Sequence, residues 1–233
     1  KPFTVTLDEA RQLNHAALAA GRLLSVFQNR RWDADFLTLQ QVIASGELGR
    51  IVHFESHFDR YRPALRNRWR EQNIPGSGLW YDLGAHLVDQ TLQLFGAPDS
   101  ISLDTAEQRA GSEVCDWFHA VLRYGQNRCI LHGSALVPVP GPRFAVHGSL
   151  GSFVKYGLDT QEDALKTGHR PPAADWGSDP LPATISLWND EHCASRAQDC
   201  LAGDYPAYYA AVRDAIKGLA PNPVSAADGI RVI

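Results

Sequence analysis

The sequence contains no methionine, not even at its first position. A natural chain of this size holds several, so the 233 residues are expected to be part of a longer protein. Cysteine is scarce as well. Cys115, Cys129, Cys193 and Cys200 are irregularly spaced and form no C-x-x-C pair. That argues against a disulfide framework and a zinc site, and it favours reduced thiols in a cytoplasmic protein. No apolar run approaches the roughly 20 residues of a membrane-spanning helix. Neither sign of charge dominates: the formal net charge is −4, which tells against a general nucleic-acid or membrane-surface binder. With 44% hydrophobic and 21% charged residues the composition is that of a globular protein. A chain of this length buries roughly 70–75% of its unfolded surface, so its core needs no staples.

What is present begins with a helix pattern. Thr6 and Glu9 form a capping box, Leu7, Ala10, Leu13, Ala17 and Leu18 make one face, and Gly21 ends the element. Leu23 to Phe27 then reads as a short apolar strand, half of a βαβ unit. Asp33 or Asp35 can cap a second helix running to Gly46, and Ile51 to Tyr61 alternates as a strand. Strand-like stretches follow at 101–107, 114–124, 128–137, 144–147 and 153–156, an antiparallel meander. Residues 168–182 read as a proline-rich irregular excursion, and 205–217 as a helix.

Between the two halves lies the most informative stretch, residues 75–90, a glycine-rich loop running into an amphipathic helix. At about 100° per residue, Asp82, His86, Asp89, Gln90 and Gln93 share one side. A solvated polar face explains that pattern as well as a site does. Gly84 inside the helix, costing roughly 1 kcal/mol against alanine, implies close packing or the close approach of another group. Asp82 in the first turn and His86 a turn later suit proton transfer, because imidazole titrates near pH ~6.5. Zinc ligation by the same pair is the competing reading, with His53 and His57 as further candidates, although their alternation fits an exposed strand face. Five arginines within 60–70, interleaved with Tyr61 and Trp69, form either a solvated loop or a clamp for a small anion or planar ring.

With these residues in place the chain resembles the carboxyl-terminal two-thirds of Gfo/Idh/MocA oxidoreductases (glucose–fructose oxidoreductase, inositol dehydrogenase, rhizopine catabolism). Residues 76–86, Gly-Ser-Gly-Leu-Trp-Tyr-Asp-Leu-Gly-Ala-His, are similar to that family's G-G-G-x-x-x-D-x-G-x-H. Lys1-Pro2 looks like the end of its Glu-Lys-Pro, and Asn29 to Trp32, Trp69-Arg70 and 204–233 also fit. The resemblance implies an α/β (α+β) protein: residues 1–30 as the tail of a Rossmann-type dinucleotide-binding domain, and 31–233 as a substrate-binding and oligomerisation domain. The latter would have an open, mostly antiparallel sheet with helices on one face. It implies NAD or NADP as cofactor and a sugar, polyol or related alcohol as substrate. His86 would be the acid/base, with Lys1 and Asp82 as its catalytic partners. Lys1, Arg31, Trp69 and Arg70 would lie at the nicotinamide end, and Trp80 and Tyr156 would shape the substrate pocket. No metal, nucleic acid or membrane is implied, and sheet faces would pair into a homodimer or higher oligomer. The glycine-rich dinucleotide fingerprint is absent from these residues. A dinucleotide- or sugar-sensing regulator on the same scaffold is the alternative.

Overall fold

The computed structural model describes residues 1–189 and 191–233. Helix α1 spans Leu7–Ala19, and Thr6 and Glu9 close its capping box as expected. The segment at 23–27 is extended but forms no strand among the described residues. Ser25 makes a single antiparallel bridge to Ser225, Val26 donates to the Val224 carbonyl at 3.0 Å, and Asn222 donates to the Leu24 carbonyl at 2.8 Å. A strand needs a ladder of partners, and here only residues 222–225 lie alongside.

A 3-10 turn at Asn29–Trp32 leads into helix α2, Ala34–Ser45, which ends where Gly46 takes a φ of 77°. Strand β1, Ile51–Asp59, lies inside an eight-stranded sheet. The others are β2 Ser100–Ala106, β3 Trp117–Tyr124, β4 Asn127–Ser134, β5 Phe144–Gly148, β6 Gly151–Lys155, β7 Ala183–Trp188 and β8 Cys193–Gln198. Their order is β2-β3-β4-β1-β5-β6-β7-β8, with only the β1/β4 pair parallel. The expected open, mostly antiparallel sheet is therefore present.

One face of the sheet packs on helices. Phe54 and Phe58 of β1, Phe118 and Leu122 of β3, Leu131 of β4 and Phe144 of β5 meet Phe36 and Leu39 of α2 and Leu87 and Val88 of helix α3, Ala85–Phe95. The period-2 alternation that buries Phe54, Ser56 and Phe58 turns His53, Glu55 and His57 to the opposite, partly exposed face. Strands β7 and β8 and the short helices α4 (Gln161–Lys166) and α6 (Ala226–Val232) lie beyond the sequence expectation, while helix α5 (Tyr205–Ile216) matches it. In β8 five of six residues are exposed, so no hydrophobic alternation marks it. Strand β3 begins at Trp117 rather than 114. The Asp116 carboxylate instead accepts the main-chain N–H groups of Gln108 and Arg109 and the Arg109 side chain, tying 107–116 into a turn.

Residues Trp80–Gly84 form a π-helical turn directly ahead of α3. Gly84 permits it: a Cβ there would overlap the Trp80 indole, which in turn packs edge-on against Phe118 at 5.1 Å. A Gly84→Ala exchange gains helix propensity of about 1 kcal/mol but forces a locked ring to move, which costs about 1–3 kcal/mol. The overlap is expected to win. Urea denaturation of the variant should show a net stability loss of up to about 2 kcal/mol; an unchanged or raised midpoint would show that Trp80 has room to yield.

Candidate functional site

The polar face of α3 is not solvated. His86, Asp89 and Gln90 are buried, and only Gln93 is exposed. Each buried group except the imidazole is matched. The Arg31 guanidinium grips Asp89 with two hydrogen bonds, 2.8 Å from Nε and 2.7 Å from Nη2. Gln90 donates to the Arg30 carbonyl at 2.8 Å and accepts from Arg143 at 2.8 Å. The His86 Nδ1 is sealed from solvent with no partner among the described residues. Burial pushes the His86 pKa well below its usual value, and the positive charges of Lys1, Arg30 and Arg143 act in the same direction. The imidazole is therefore neutral at pH 7.

Asp82 lies in the π turn and is only partly buried. The Lys1 Nζ donates to its carboxylate and to its main-chain carbonyl, and Arg70 Nε approaches the carboxylate at 3.0 Å. Burial alone would raise the Asp82 pKa. Lys1 and Arg70, with Arg60, outweigh it and hold the carboxyl below its usual range. Lys1 is itself pulled down by burial against the opposing pull of Asp82. Its backbone is clasped by the buried side chain of Gln28, whose Oε1 accepts from the Lys1 nitrogen at 3.1 Å.

Lys1 and Asp82 sit in a cleft of about 300 Å³ walled on one side by Pro2 to Val5 and on the other by Trp69, Arg70, Pro75, Gly76 and Tyr81. Arg70 stacks over the Trp69 ring at 4.8 Å. The structure thus gathers Lys1, Trp69, Arg70 and Asp82, with His86 one turn further along the chain. No hydrogen bond joins Asp82 to His86 among the described residues. Arg31 lies off the cleft lining, committed to Asp89. Trp80 packs against the core, and Tyr156 is on the surface outside the cleft lining. The glycines also divide. Gly76 lines the cleft, whereas Gly78, at φ 84°, fits against the Cys115 backbone. Tyr81 and the 3–5 segment are lining groups that sequence reasoning missed; the aromatic beside Asp82 was the available signal.

Part of the arginine-rich loop is neutralised internally. Arg68 pairs with Glu71 at 2.6 Å, Glu71 also takes Arg109 at 3.2 Å, and Arg70 is on Asp82. Among the described residues no group of three or more His, Cys, Asp or Glu is arranged to hold a metal ion.

Over residues 40–233 the chain matches the model described as "Oxidoreductase family, C-terminal alpha/beta domain". The chain belongs to the Gfo/Idh/MocA family. It is 53% identical over its whole length to the Escherichia coli oxidoreductase YdgJ, of which it covers 67%. It is 41% identical to the Bacillus subtilis scyllo-inositol 2-dehydrogenase (NADP(+)) IolW, covering 66% of that protein. Its fold superposes on the YPO2259 protein of Yersinia pestis with a TM-score of 0.95 at 54% identity, covering all of this chain and 66% of the other. The chain thus spans about two thirds of the length of these relatives.

The state of His86 sets a pH dependence. Its folded pKa is lowered, so below pH ~6.5 the unfolded chain takes up a proton that the folded chain refuses. Stability from this group is complete above that pH and falls as pH drops through it. Between pH 7.5 and 5.5 the wild-type protein should lose about 1 kcal/mol more than His86→Gln does, as read by urea denaturation. Equal losses in the two proteins would mean that His86 protonates freely in the fold.

Proposed function

We propose that the protein is an NAD- or NADP-dependent oxidoreductase that moves hydride between the nicotinamide and a hydroxyl or carbonyl of a sugar, polyol or related alcohol. The observation that carries this reading is the juxtaposition of a sealed, neutral histidine with an ionised Lys1–Asp82 pair at a cleft. The family supports the reaction class, and the name of the relative IolW supports a cyclic polyol as the type of substrate.

A bound dinucleotide supplies or takes up the hydride. Lys1, Trp69 and Arg70 would hold its nicotinamide end: a planar indole beside two cations suits a flat ring and its carboxamide. The orphaned His86 nitrogen fits a site completed by a ligand. In the oxidative direction the neutral His86 imidazole accepts the hydroxyl proton. Asp82, kept ionised by Lys1 and Arg70, accepts a hydrogen bond from the substrate and positions it. The Lys1 Nζ donates to the oxygen that becomes the carbonyl. Arg31 acts through Asp89, fixing the helix that carries His86, and Trp80 fixes the turn that carries Asp82. Tyr156 is the least supported member of the substrate set, being exposed and outside the cleft lining.

Residues 1–30 would be the tail of the dinucleotide-binding domain. The exposed apolar side chains of Leu13, Leu18, Leu23, Phe27 and Ile216 support a seat for the rest of that domain. Trp188 of β7, exposed on the helix-free face of the sheet, supports pairing with a second copy. No helix among the described residues is long and apolar enough to cross a membrane, and the four cysteines are free thiols, in keeping with a cytoplasmic setting.

In the full-length protein, His86→Asn should lower kcat by about 10²–10⁴-fold while the dinucleotide Kd changes less than about 3-fold. Normal turnover by that variant would remove His86 from the mechanism. Tight dinucleotide binding without turnover on a panel of sugars and polyols would support the sensing regulator instead. A neutral base also places the acidic limb of kcat/KM for alcohol oxidation below pH ~6.5, and a limb above that value would contradict the burial of His86.

A further inference from the structure

Three guanidinium groups surround one buried ring. Arg143, Arg30 and Arg60 place their Cζ atoms 4.6, 5.1 and 5.5 Å from the centroid of Phe58. Two of the three have counter-ions. Arg30 pairs with Asp33 at 3.1 Å and with Glu162 at 2.8 Å. Arg143 lies 3.4 Å from Asp35, and it donates to Gln90 at 2.8 Å and to Ser56 at 2.5 Å. The Arg60 guanidinium makes no hydrogen bond or ion pair with any described residue, although the side chain is partly buried. Only its backbone is fixed, between the Ser134 carbonyl at 2.9 Å and the Val137 N–H at 3.0 Å.

The Arg60 side chain is not part of the cleft lining, but Phe58 and Arg143 link it to the helix that carries His86. Arg60 follows the carboxyl end of β1, next to Phe58. Arg143, on the same ring, reaches Gln90, one turn beyond His86 on α3. Asp82 and Arg60 feel each other's charge: Arg60 helps keep Asp82 ionised, and Asp82 opposes the burial and the neighbouring Arg62 that bring Arg60 down to about 10. Lys1 and Arg70 hold the Asp82 Oδ1, and no ion pair joins Asp82 to Arg60 among the described residues. Glu162 is likewise taken by Arg30. A cation with restricted hydration and no counter-ion is compensated when an oxygen-bearing ligand arrives.

Resting on the reaction class proposed above, we infer that Arg60 is a substrate-recognition residue, whose planar fork donates two N–H groups to a pair of neighbouring oxygens on the substrate. A vicinal diol and a carboxylate both present such a pair. Lysine at this position keeps the charge but loses the fork, and glutamine loses both the charge and the guanidinium fork, keeping a single amide nitrogen as donor group.

The test uses the full-length protein with its dinucleotide, the variants Arg60→Gln and Arg60→Lys, and three probes: scyllo-inositol, D-glucose and D-glucuronate. Calorimetric binding to the enzyme loaded with oxidised dinucleotide is read beside steady-state kinetics. For each probe that wild type binds, Arg60→Gln should weaken binding and raise KM by at least about 10-fold, with the dinucleotide Kd and the melting temperature unchanged. A loss shared by the neutral polyols identifies the diol; a loss confined to glucuronate and partly rescued by Arg60→Lys identifies the carboxylate. Affinities and KM values within 2-fold of wild type in both variants would overturn the inference and leave Arg60 a solvated side chain. Binding by wild type without turnover would sink the reaction class yet still test Arg60 by affinity, and failure of wild type to bind any probe would sink both.

Discussion

The ion pair between Arg31 and Asp89 is the contact on which the site depends. It joins the 3-10 turn after the extended 23–27 segment to the helix that carries His86, and both partners are nearly inaccessible to water. Burial raises the Asp89 pKa despite the guanidinium, so desolvation is a real opposing term. Removing one member of such a pair costs about 3–5 kcal/mol, against a total stability of about 5–15 kcal/mol. The geometry compensates the desolvation with two parallel hydrogen bonds and with Gln90 tied to Arg30 and Arg143 beside it. These four side chains fix the rotation of α3 about its axis. A small rotation would expose His86 to water and restore its ordinary pKa.

The π turn solves a separate problem. His86 must be dry to stay neutral, while Asp82, only four residues earlier, must reach a cleft. In a regular α-helix the two would sit nearly above one another. The inserted register between Trp80 and Gly84 carries Asp82 out to Lys1 and Arg70 while Leu83 and Gly84 stay buried. Such π turns commonly mark functional sites. Trp80 stabilises the turn from the core side, so its contribution runs through packing rather than contact with a ligand.

The layering and most strand boundaries were legible because burial alternates along β1, β3 and β4. The capping box at Thr6 and Glu9 fixed the start of α1, and Gly46 the end of α2. Strand β8 was illegible because nearly all of it faces solvent, and β7, bordering it, follows a proline-rich stretch that hid its start. At the site, the 3.6-residue period placed Asp82, His86, Asp89 and Gln90 together but could not say whether water or protein lay over them. That answer depends on Arg30, Arg31 and Arg143, which come from a turn and from the residue before β5, remote in sequence. Periodicity is blind to such partners. It is equally blind to a π turn, since no residue in Trp80–Gly84 breaks the helical pattern except Gly84 itself. The arginines at 60–70 look equivalent in sequence, and only the positions of Glu71 and Asp82 separate the paired Arg68 and Arg70 from Arg60, Arg62 and Arg66, which make no ion pair among the described residues.

The cleft owes its existence to contacts that span the chain. Lys1 and Asp82 are 81 positions apart, and Arg31 also reaches the Pro223 carbonyl, 192 positions on. Residues 222–228 act as a clasp: Asn222 holds Leu24, Val224 holds Ser25 and Val26, and Asp228 closes the capping box that Ser225 opens on α6 and lies 3.9 Å from Arg31. One wall of the cleft, residues 1–5, is therefore anchored through Gln28 to the same turn that positions α3, and α3 follows directly on the other wall. A displacement of the first wall is felt at Lys1, whose charge helps keep Asp82 ionised and His86 neutral. Wall position and protonation state are coupled by Coulombic terms that act over a few ångströms in a poorly hydrated site. Any ligand that draws the 1–5 segment toward Tyr81 would thereby tighten Lys1 on Asp82.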